Sequence, residues 1–518
     1  MKFNRTQNAS RNIMTGLVQR LYQILVPFLM RTAMIYLLGA EYVGLDGLFT
    51  SILSVLNLAE LGVGSAMVYS MYKPVAEDDT DMVCSLMRLY KVYYRIIGLV
   101  VLVGGLILCP FVPKMISGTV PAGINVQVLF LLNLATTVLS YWLFAYKNCL
   151  FQAYQRADVI SKITMAVNTG RYVVQFLLLF IFRDYYLYLI VSLISQAAIN
   201  IVTAWVADKF YPQLMPKGKL PKTVTSTINR RIRDLFTSKI GGVVVNSVDT
   251  LVVSAFLGLT VLAIYQNYYY IITSLLGIVN IIIYSCTAGI GNSIAVETKE
   301  KNLDDLKTFT FVISGITCFC TACLLELYQP FMELWVGEDL MFEYPAVIWF
   351  SVHFFIVEIN TLLNMYKDAA GIWHEDRFRP LVTAVVNLTL NLCLVHIWGI
   401  YGILLSTVLS MLVVGMPWLI KNLFTTLFVP SQMKEYLIKL GQYVLASSVV
   451  CLGCWFIGRA LPVKGVLGMA IRVGICLVVT GGVFLLCFHN SAEFVRMVGL
   501  VDTITKGKFR LHQRLIKK

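Results

Sequence analysis

Fourteen runs of about twenty apolar residues punctuate this chain of 518. They constrain its fold more than any other feature, because that is the length a helix needs to cross the hydrocarbon core of a bilayer. The runs lie near 13–38, 48–72, 92–113, 123–146, 163–182, 187–207, 236–257, 263–293, 308–329, 345–366, 381–397, 402–423, 437–458 and 466–488. Hydrocarbon offers no partner to a peptide group, so each run must satisfy its own backbone as a helix. With 58% hydrophobic and only 14% charged residues, the chain is far from a soluble domain. The expected fold is an all-α polytopic membrane protein with about 14 transmembrane helices. The first run is too long for the core of a cleavable leader and is expected to stay as the first span. The run at 263–293 is long enough to tilt, kink or extend past the membrane.

Net charge is +14. On a soluble chain that would suggest nucleic acid, but in a membrane protein Lys and Arg gather in cytoplasmic loops. With the N-terminus inside, the cytoplasmic segments hold 33 of the 42 basic residues. The external loops hold Lys114, Arg183, Arg459 and Lys464, and Arg20, Arg31, Arg95, Arg171 and Arg472 fall within spans. Both termini are therefore expected in the cytoplasm. A basic linker near 208–235, with prolines and seven basic residues, divides the chain after six spans.

That division suggests a repeat. Leu38-Gly39 matches Leu257-Gly258 at an offset of 219, and Ala166-Val167-Asn168 matches Val385-Val386-Asn387 at the same offset. The GVG at 62–64 and the GIG at 289–291 lie 227 apart, which calls for a compensated insertion. The expected organisation is an N-terminal six-helix lobe over 1–207, the linker over 208–235, a second six-helix lobe over 236–423 related to the first as a parallel repeat, and two extra helices with a basic tail over 424–518.

No nucleotide-binding, zinc-protease, serine-hydrolase or kinase motif occurs, so an ATP-driven pump and the common enzyme classes find no support. The twelve cysteines mostly lie within spans, and Cys451-x-x-Cys454 and Cys318, Cys320 and Cys323 lack nearby His or acidic co-ligands; they read as apolar filler. What remains is polar residues at helical spacing inside the membrane. Span 1 places Arg20 and Arg31 on one face with Pro27, a site for a kink. Span 5 carries Thr164, Asn168, Arg171 and Gln175, span 7 Lys239, Gly242, Asn246 and Asp249, and span 2 Asn57, Glu60 and Gly64. Span 10 offers His353, Glu358, Asn360 and Asn364, and span 11 Thr383, Asn387 and Asn391. Lys239 stands 219 residues after Arg20, so a cation recurs in the first helix of each half. Terminal cations can simply snorkel, and Asn and Thr commonly join helices by hydrogen bonds. Tyr268–Tyr270 read as packing or an interfacial belt. Charge at bilayer depth is costly, however. Several buried cations together suit an anionic ligand, and the planar fork of arginine suits phosphate. Arg20, Arg31, Arg171 and Lys239 are the candidate substrate-binding residues. Glu60 and Asp249 are candidates for charge balance or for a coupling H+ or Na+. No metal site and no other cofactor are expected.

The stretch EYVGLDGLFTSILSVLNLAELGVGSAMVYSMYKPVAEDD, residues 41–79, resembles the N-terminal signature of Wzx-type polysaccharide flippases. These belong to the multidrug/oligosaccharidyl-lipid/polysaccharide exporter superfamily. The YVGLDGLF and LAELGVGSAM elements carry most of the match, and the later GIG, the basic linker and the length agree. The resemblance implies a bacterial plasma-membrane protein with two six-helix lobes and a cationic cavity. Its implied function is flipping of undecaprenyl-diphosphate-linked oligosaccharide to the outer leaflet by alternating access, for capsule or other surface polysaccharide. It also implies partners among polysaccharide polymerases and glycosyltransferases. Cavity arginines of the first helix match Arg20 and Arg31 by position and type. A multidrug or metabolite antiporter and a peptidoglycan lipid-precursor flippase are the alternatives.

Overall fold

A computed structural model describes residues 5–118, 120–460 and 465–504, and among them every regular element is helical. In chain order the helices are α1 Arg5–Leu37, α2 Ala40–Leu56, α3 Val63–Ala76, α4 Thr80–Leu108, α5 Val126–Trp142, α6 Asn148–Ala153, α7 Ala157–Phe182, α8 Tyr185–Phe210, α9 Lys222–Ser285, α10 Thr287–Val296, α11 Lys299–Val336, α12 Tyr344–Ala369, α13 Arg379–Trp398, α14 Ile400–Ser410, α15 Met416–Thr426, α16 Met433–Ala460, α17 Gly465–Phe488 and α18 Ala492–Ile504. Eleven described helical stretches are long and apolar enough to cross a membrane, and the bent pair 126–142 with 145–153 makes a twelfth. The 222–296 stretch counts once but holds both the seventh and the eighth expected spans. The first expected span lies in α1, which runs unbroken through Pro27. The fourteen-helix reading therefore holds.

The helix breaks follow from local chemistry. Gly39 (φ 119°) separates α1 from α2, and Gly258 (φ 87°) breaks α9 internally. Both φ values lie where a side chain is costly and glycine is not. The two glycines are the Leu-Gly pair of the 219-residue offset, so the offset marks equivalent breaks. The side chain of Asp79 caps α4 by accepting from the Met82 N–H at 2.9 Å, and Thr298 caps α11 by accepting from the Lys301 N–H at 3.3 Å. These caps also lie 219 residues apart, and each satisfies a donor that a helix start leaves orphaned. One expectation fails. The stripe Asn57, Glu60, Gly64 assumes a continuous helix, but α2 ends at Leu56, a 3-10 turn covers Asn57–Glu60, and left-handed Gly62 precedes α3.

The chain forms two compact units, Met1–Gln266 and Asn267–Lys518, whose boundary falls inside α9 rather than in the basic linker. In the first, α2 is largely enclosed: Leu45, Leu48 and Phe49 are buried, and the Phe49 ring lies 6.0 Å from that of Phe130 on α5. Gly44 lets α2 approach residue 259 so closely that an added Cβ would stand 2.4 Å from the Leu259 carbonyl oxygen. In the second unit, Phe311, Cys318, Tyr443, Val450, Cys454, Cys476 and Phe488 join α11, α16 and α17 in one apolar cluster. Its cysteines are filler, as expected; all twelve are free thiols.

Candidate functional site

In the first unit α1 packs along α7 and α7 along α8. The α1–α7 seam is polar. The Ser161 hydroxyl donates to Gln19 Oε1 at 2.5 Å, and the hydroxyls of Tyr22 and Thr169 are 3.1 Å apart. Further along, the Arg171 guanidinium covers the Tyr172 ring at 4.3 Å from its centroid. Two polar atoms of this stripe, Asn168 Oδ1 and Arg171 Nε, are buried without a hydrogen-bond partner among the described residues. Buried polar atoms are rarely left so. By contrast Gln175, one turn on, donates to the Tyr188 carbonyl at 2.9 Å and to Ser192 Oγ at 2.7 Å, which makes it interhelical glue.

Arg31 lies on α1 and Asp46, half-buried, on α2. Asp46 accepts a hydrogen bond from the Tyr185 hydroxyl at 3.3 Å. Tyr185 is buried, stacked on Tyr188 at 5.7 Å and set edge-on to Tyr42 at 5.3 Å. Asp46 and a tyrosine frame thus stand together. Chemically, the Arg171 guanidinium, with a buried N–H left over, can hold an oxyanion by a charge-assisted hydrogen bond.

Arg20 is half-buried on α1 and makes no ion pair or hydrogen bond among the described residues. Lys239 belongs to α9, but its side chain lies outside what the structure describes. Asp249 is buried on the same helix, beside Thr250, whose hydroxyl accepts from Gln266 Nε2 at 3.2 Å. Glu60 accepts from the Tyr94 hydroxyl at 3.1 Å. Tyr94 in turn accepts from Tyr90 at 2.5 Å, and Tyr141 donates to Asn57 at 3.0 Å.

Residues of the second unit resolve mostly into structure. Asn387 Nδ2 donates to Thr407 Oγ1 at 3.1 Å. Arg472 donates to Glu326 at 2.9 Å, tying α17 to α11. Tyr268 is buried, stacked on Tyr328 at 5.0 Å and on Phe350 at 5.4 Å, which confirms it as packing. Both oxygens of buried Glu358 lack a hydrogen-bond partner among the described residues. No described cluster of three or more His, Cys, Asp or Glu residues could hold a metal ion.

Sequence reasoning missed Asp46. It sits in the LDG of residues 45–47, two residues ahead of the apolar run at 48–72, and so was not read as intramembrane.

Comparison with known proteins gives a consistent fold. Residues 9–286 match the family described as "Polysaccharide biosynthesis protein". A comparison with curated proteins finds no match. Among solved structures, the lipid II flippase MurJ in an inward closed conformation matches with a TM-score of 0.63 at 13% identity, over 91% of this chain and 97% of that one. An inward-facing multidrug resistance MATE family transporter of the MOP superfamily matches with a TM-score of 0.57 at 14% identity, over 81% and 99%. An outward-facing one gives 0.55 at 13%, over 83% and 96%. At such identities the likeness is one of fold.

Proposed function

This chain belongs to the polysaccharide biosynthesis protein family, and on that premise we propose that it flips a lipid-linked oligosaccharide across the bacterial plasma membrane. The substrate class is an undecaprenyl-diphosphate carrier with its glycan, moved from the inner to the outer leaflet for capsule or another surface polysaccharide. One observation supports the reading: Asn168 Oδ1 and Arg171 Nε, on the polar stripe of α7, are buried without a hydrogen-bond partner among the described residues. A diphosphate brings negative charge and paired oxygens that accept hydrogen bonds from guanidinium N–H groups. The glycan needs no covalent chemistry for transfer, in keeping with a non-enzymatic role.

In this mechanism the diphosphate enters from the cytoplasmic side and meets Arg20 and Lys239 first. It passes to Arg171 and then to Arg31, while the polyprenyl chain stays in lipid. Alternating access exposes these cations to each leaflet in turn. Switching requires that the two states bind the ligand unequally. Both termini lie in the cytoplasm in this orientation, as the distribution of Lys and Arg demands. A proton or Na+ at Glu60 or Asp249 is the proposed driving ion, and polymerase and glycosyltransferases are the proposed partners.

The test is export in a strain deleted for the gene, followed as lipid-linked oligosaccharide and as surface polysaccharide. Deletion is expected to trap the oligosaccharide on its lipid at the inner leaflet. Wild type restores export, whereas well-expressed Arg31→Ala and Arg171→Ala do not. Normal surface polysaccharide in the deletion, with no redundant flippase, overturns the assignment. The extent of the MurJ match, 91% of this chain, favours the peptidoglycan lipid precursor as the second reading; rescue of a strain lacking its own precursor flippase would select it. Restored drug efflux in a pump-deficient strain would select the antiporter instead.

A further inference from the structure

The second unit carries a cavity that none of the candidate substrate-binding residues lines. Its volume is about 750 Å³, and its walls come from α11, α12, α16 and the π turn Met411–Gly415 between α14 and α15. Such turns recur at functional sites. Both α12 and α16 pack along α11, and the cavity fills the gap between them. Ser351 and Ile359 of α12 and Ser447 of α16 are buried at its floor, whereas Ile348 of α12 and Leu452 of α16 are 43% and 58% exposed. The cavity is therefore a groove open along one side.

Its walls offer a ligand almost nothing polar. The hydroxyls of Thr321, Ser351 and Ser448 each donate to a carbonyl one turn back on their own helix, at 2.7, 2.7 and 2.9 Å. Such a surface suits a hydrocarbon chain, which restores the dispersion contacts that an unfilled gap forfeits. From Leu440 to Trp455 the groove follows α16 for about 22 Å, at about 1.5 Å per residue. At about 30 Å³ for a group the size of a water molecule, it holds about 25 such groups. That is enough for a phospholipid acyl chain and well short of a polyprenyl carrier.

One end of the groove carries charge. Arg459 follows Trp455 by one helical turn and lays its guanidinium over that ring, 4.5 Å from the centroid. Arg459 is exposed and makes no ion pair or hydrogen bond among the described residues. The buried carboxylate of Glu326 is already taken: it pairs with Arg472 at 2.9 Å. Glu343, next to the groove residue Tyr344, accepts from the Tyr401 hydroxyl at 3.3 Å. The stacking orients the guanidinium and leaves its N–H donors for a phosphate. Tyr344 and Trp455 at the same end are residue types that favour headgroup depth.

We propose that this groove binds one anionic phospholipid, with an acyl chain between α12 and α16 and the phosphate on Arg459. The site goes beyond the flippase reading: the lipid is a resident that bridges two helices of the second unit, not the cargo.

The experiment takes full-length protein stripped of lipid in detergent. It titrates the protein with dioleoyl phosphatidylglycerol or dioleoyl phosphatidylcholine and follows native mass spectra and thermal unfolding. Wild type is expected to hold one phosphatidylglycerol about fivefold tighter than phosphatidylcholine, the worth of one basic residue against anionic lipid. Arg459→Gln removes that preference and keeps binding of the chain. Ser448→Trp, at an exposed position on the wall, fills the groove and loses the tight site for both lipids. Tight binding retained by Ser448→Trp overturns the inference, as does a preference for phosphatidylglycerol that survives Arg459→Gln. Absence of a saturable site in wild type overturns it as well. Displacement of the phospholipid by undecaprenyl phosphate at equal concentration gives the groove to the carrier and likewise overturns it. Should Ser448→Trp fail to fold, Arg459→Gln decides alone.

Discussion

The hydroxyl of Tyr94 on α4 donates to the carboxylate of Glu60 across 3.1 Å, in the turn that splits the second span. Tyr90 donates to Tyr94 at 2.5 Å, and the two rings lie 4.3 Å apart, so the glutamate ends a short relay of phenols. A carboxylate at bilayer depth is tolerable when its oxygens are met in this way.

That contact separates a structural role from an ionic one. Glutamine keeps an acceptor for Tyr94, whereas alanine leaves the phenol without its partner. Glu60→Gln is therefore expected to unfold within about 1 kcal/mol of wild type, and Glu60→Ala to lose about 1–3 kcal/mol. Thermal unfolding in detergent measures both. A full loss of export in a stable Glu60→Gln protein would show that the charge itself is needed, for balance or for a coupling ion.

Gly44 and Gly47 make a paired test of how α2 is seated. A Cβ at Gly44 meets the Leu259 backbone carbonyl at 2.4 Å, and backbone cannot step aside cheaply. A Cβ at Gly47 meets the side chain of Gln266 at 3.0 Å, which can shift. Gly44→Ala is expected to cost about 1–3 kcal/mol and Gly47→Ala less. Equal effects in thermal unfolding would mean that this close approach does not limit the fold.

Buried aspartates open the fifth span and its repeat, and their surroundings predict unequal costs. Asp376 accepts from Arg379 at 2.6 and 2.7 Å and from Asn422 at 3.0 Å, with Lys367 3.6 Å away. The Arg379 and Lys367 side chains are only 7% and 9% exposed. Asp158 pairs with Arg156 at 3.1 Å and Lys162 at 3.2 Å, whose side chains are 28% and 58% exposed. Water can take over cations of the second kind but not of the first. Asp376→Asn is expected to cost about 3–5 kcal/mol, and Asp158→Asn about 1–3 kcal/mol. Comparison of their unfolding temperatures and expression levels checks the order.

The helices, their number and the repeat were legible in the sequence because each rests on local chemistry: run length, capping side chains, and glycines where φ is positive. Gly39 and Gly258 were paired by offset and prove to share a conformation. The site was legible in part. Helical spacing singles out Arg31 on α1 and Arg171 on α7. Glu60 was placed on a continuous helical face that the break at 57–62 abolishes. Asp46 was passed over because it lies at the edge of an apolar run, where a carboxylate reads as interfacial. Periodicity reports which residues share a helix face but not which face meets which neighbour, and that is what brings Tyr185 of α8 to Asp46 of α2.

The last described helix gives a pH prediction. Glu493 at the start of α18 is buried, which raises its carboxyl pKa, but hydrogen bonds from Lys439 and its own backbone, with the charges of Lys439 and Lys307, outweigh this and hold it below the usual value of 4.5. Lys439 Nζ lies 2.8 Å from Glu493, and Arg496 anchors the same helix through Asp304 at 2.6 Å. A carboxyl with a depressed folded pKa stabilises the docked helix above its unfolded pKa, and that contribution fades as pH falls through the folded value. Docking of α18 is therefore expected to be insensitive to pH between about 6 and 8 and to weaken below about 4.5. Hydrogen exchange over 492–504 at pH 7 and pH 4 measures it. Glu493→Gln should exchange faster at pH 7 and lose most of the difference between the two pH values, after correction for intrinsic exchange. If the variant keeps the wild-type pH response, the latch lies in Asp304 and Arg496 instead.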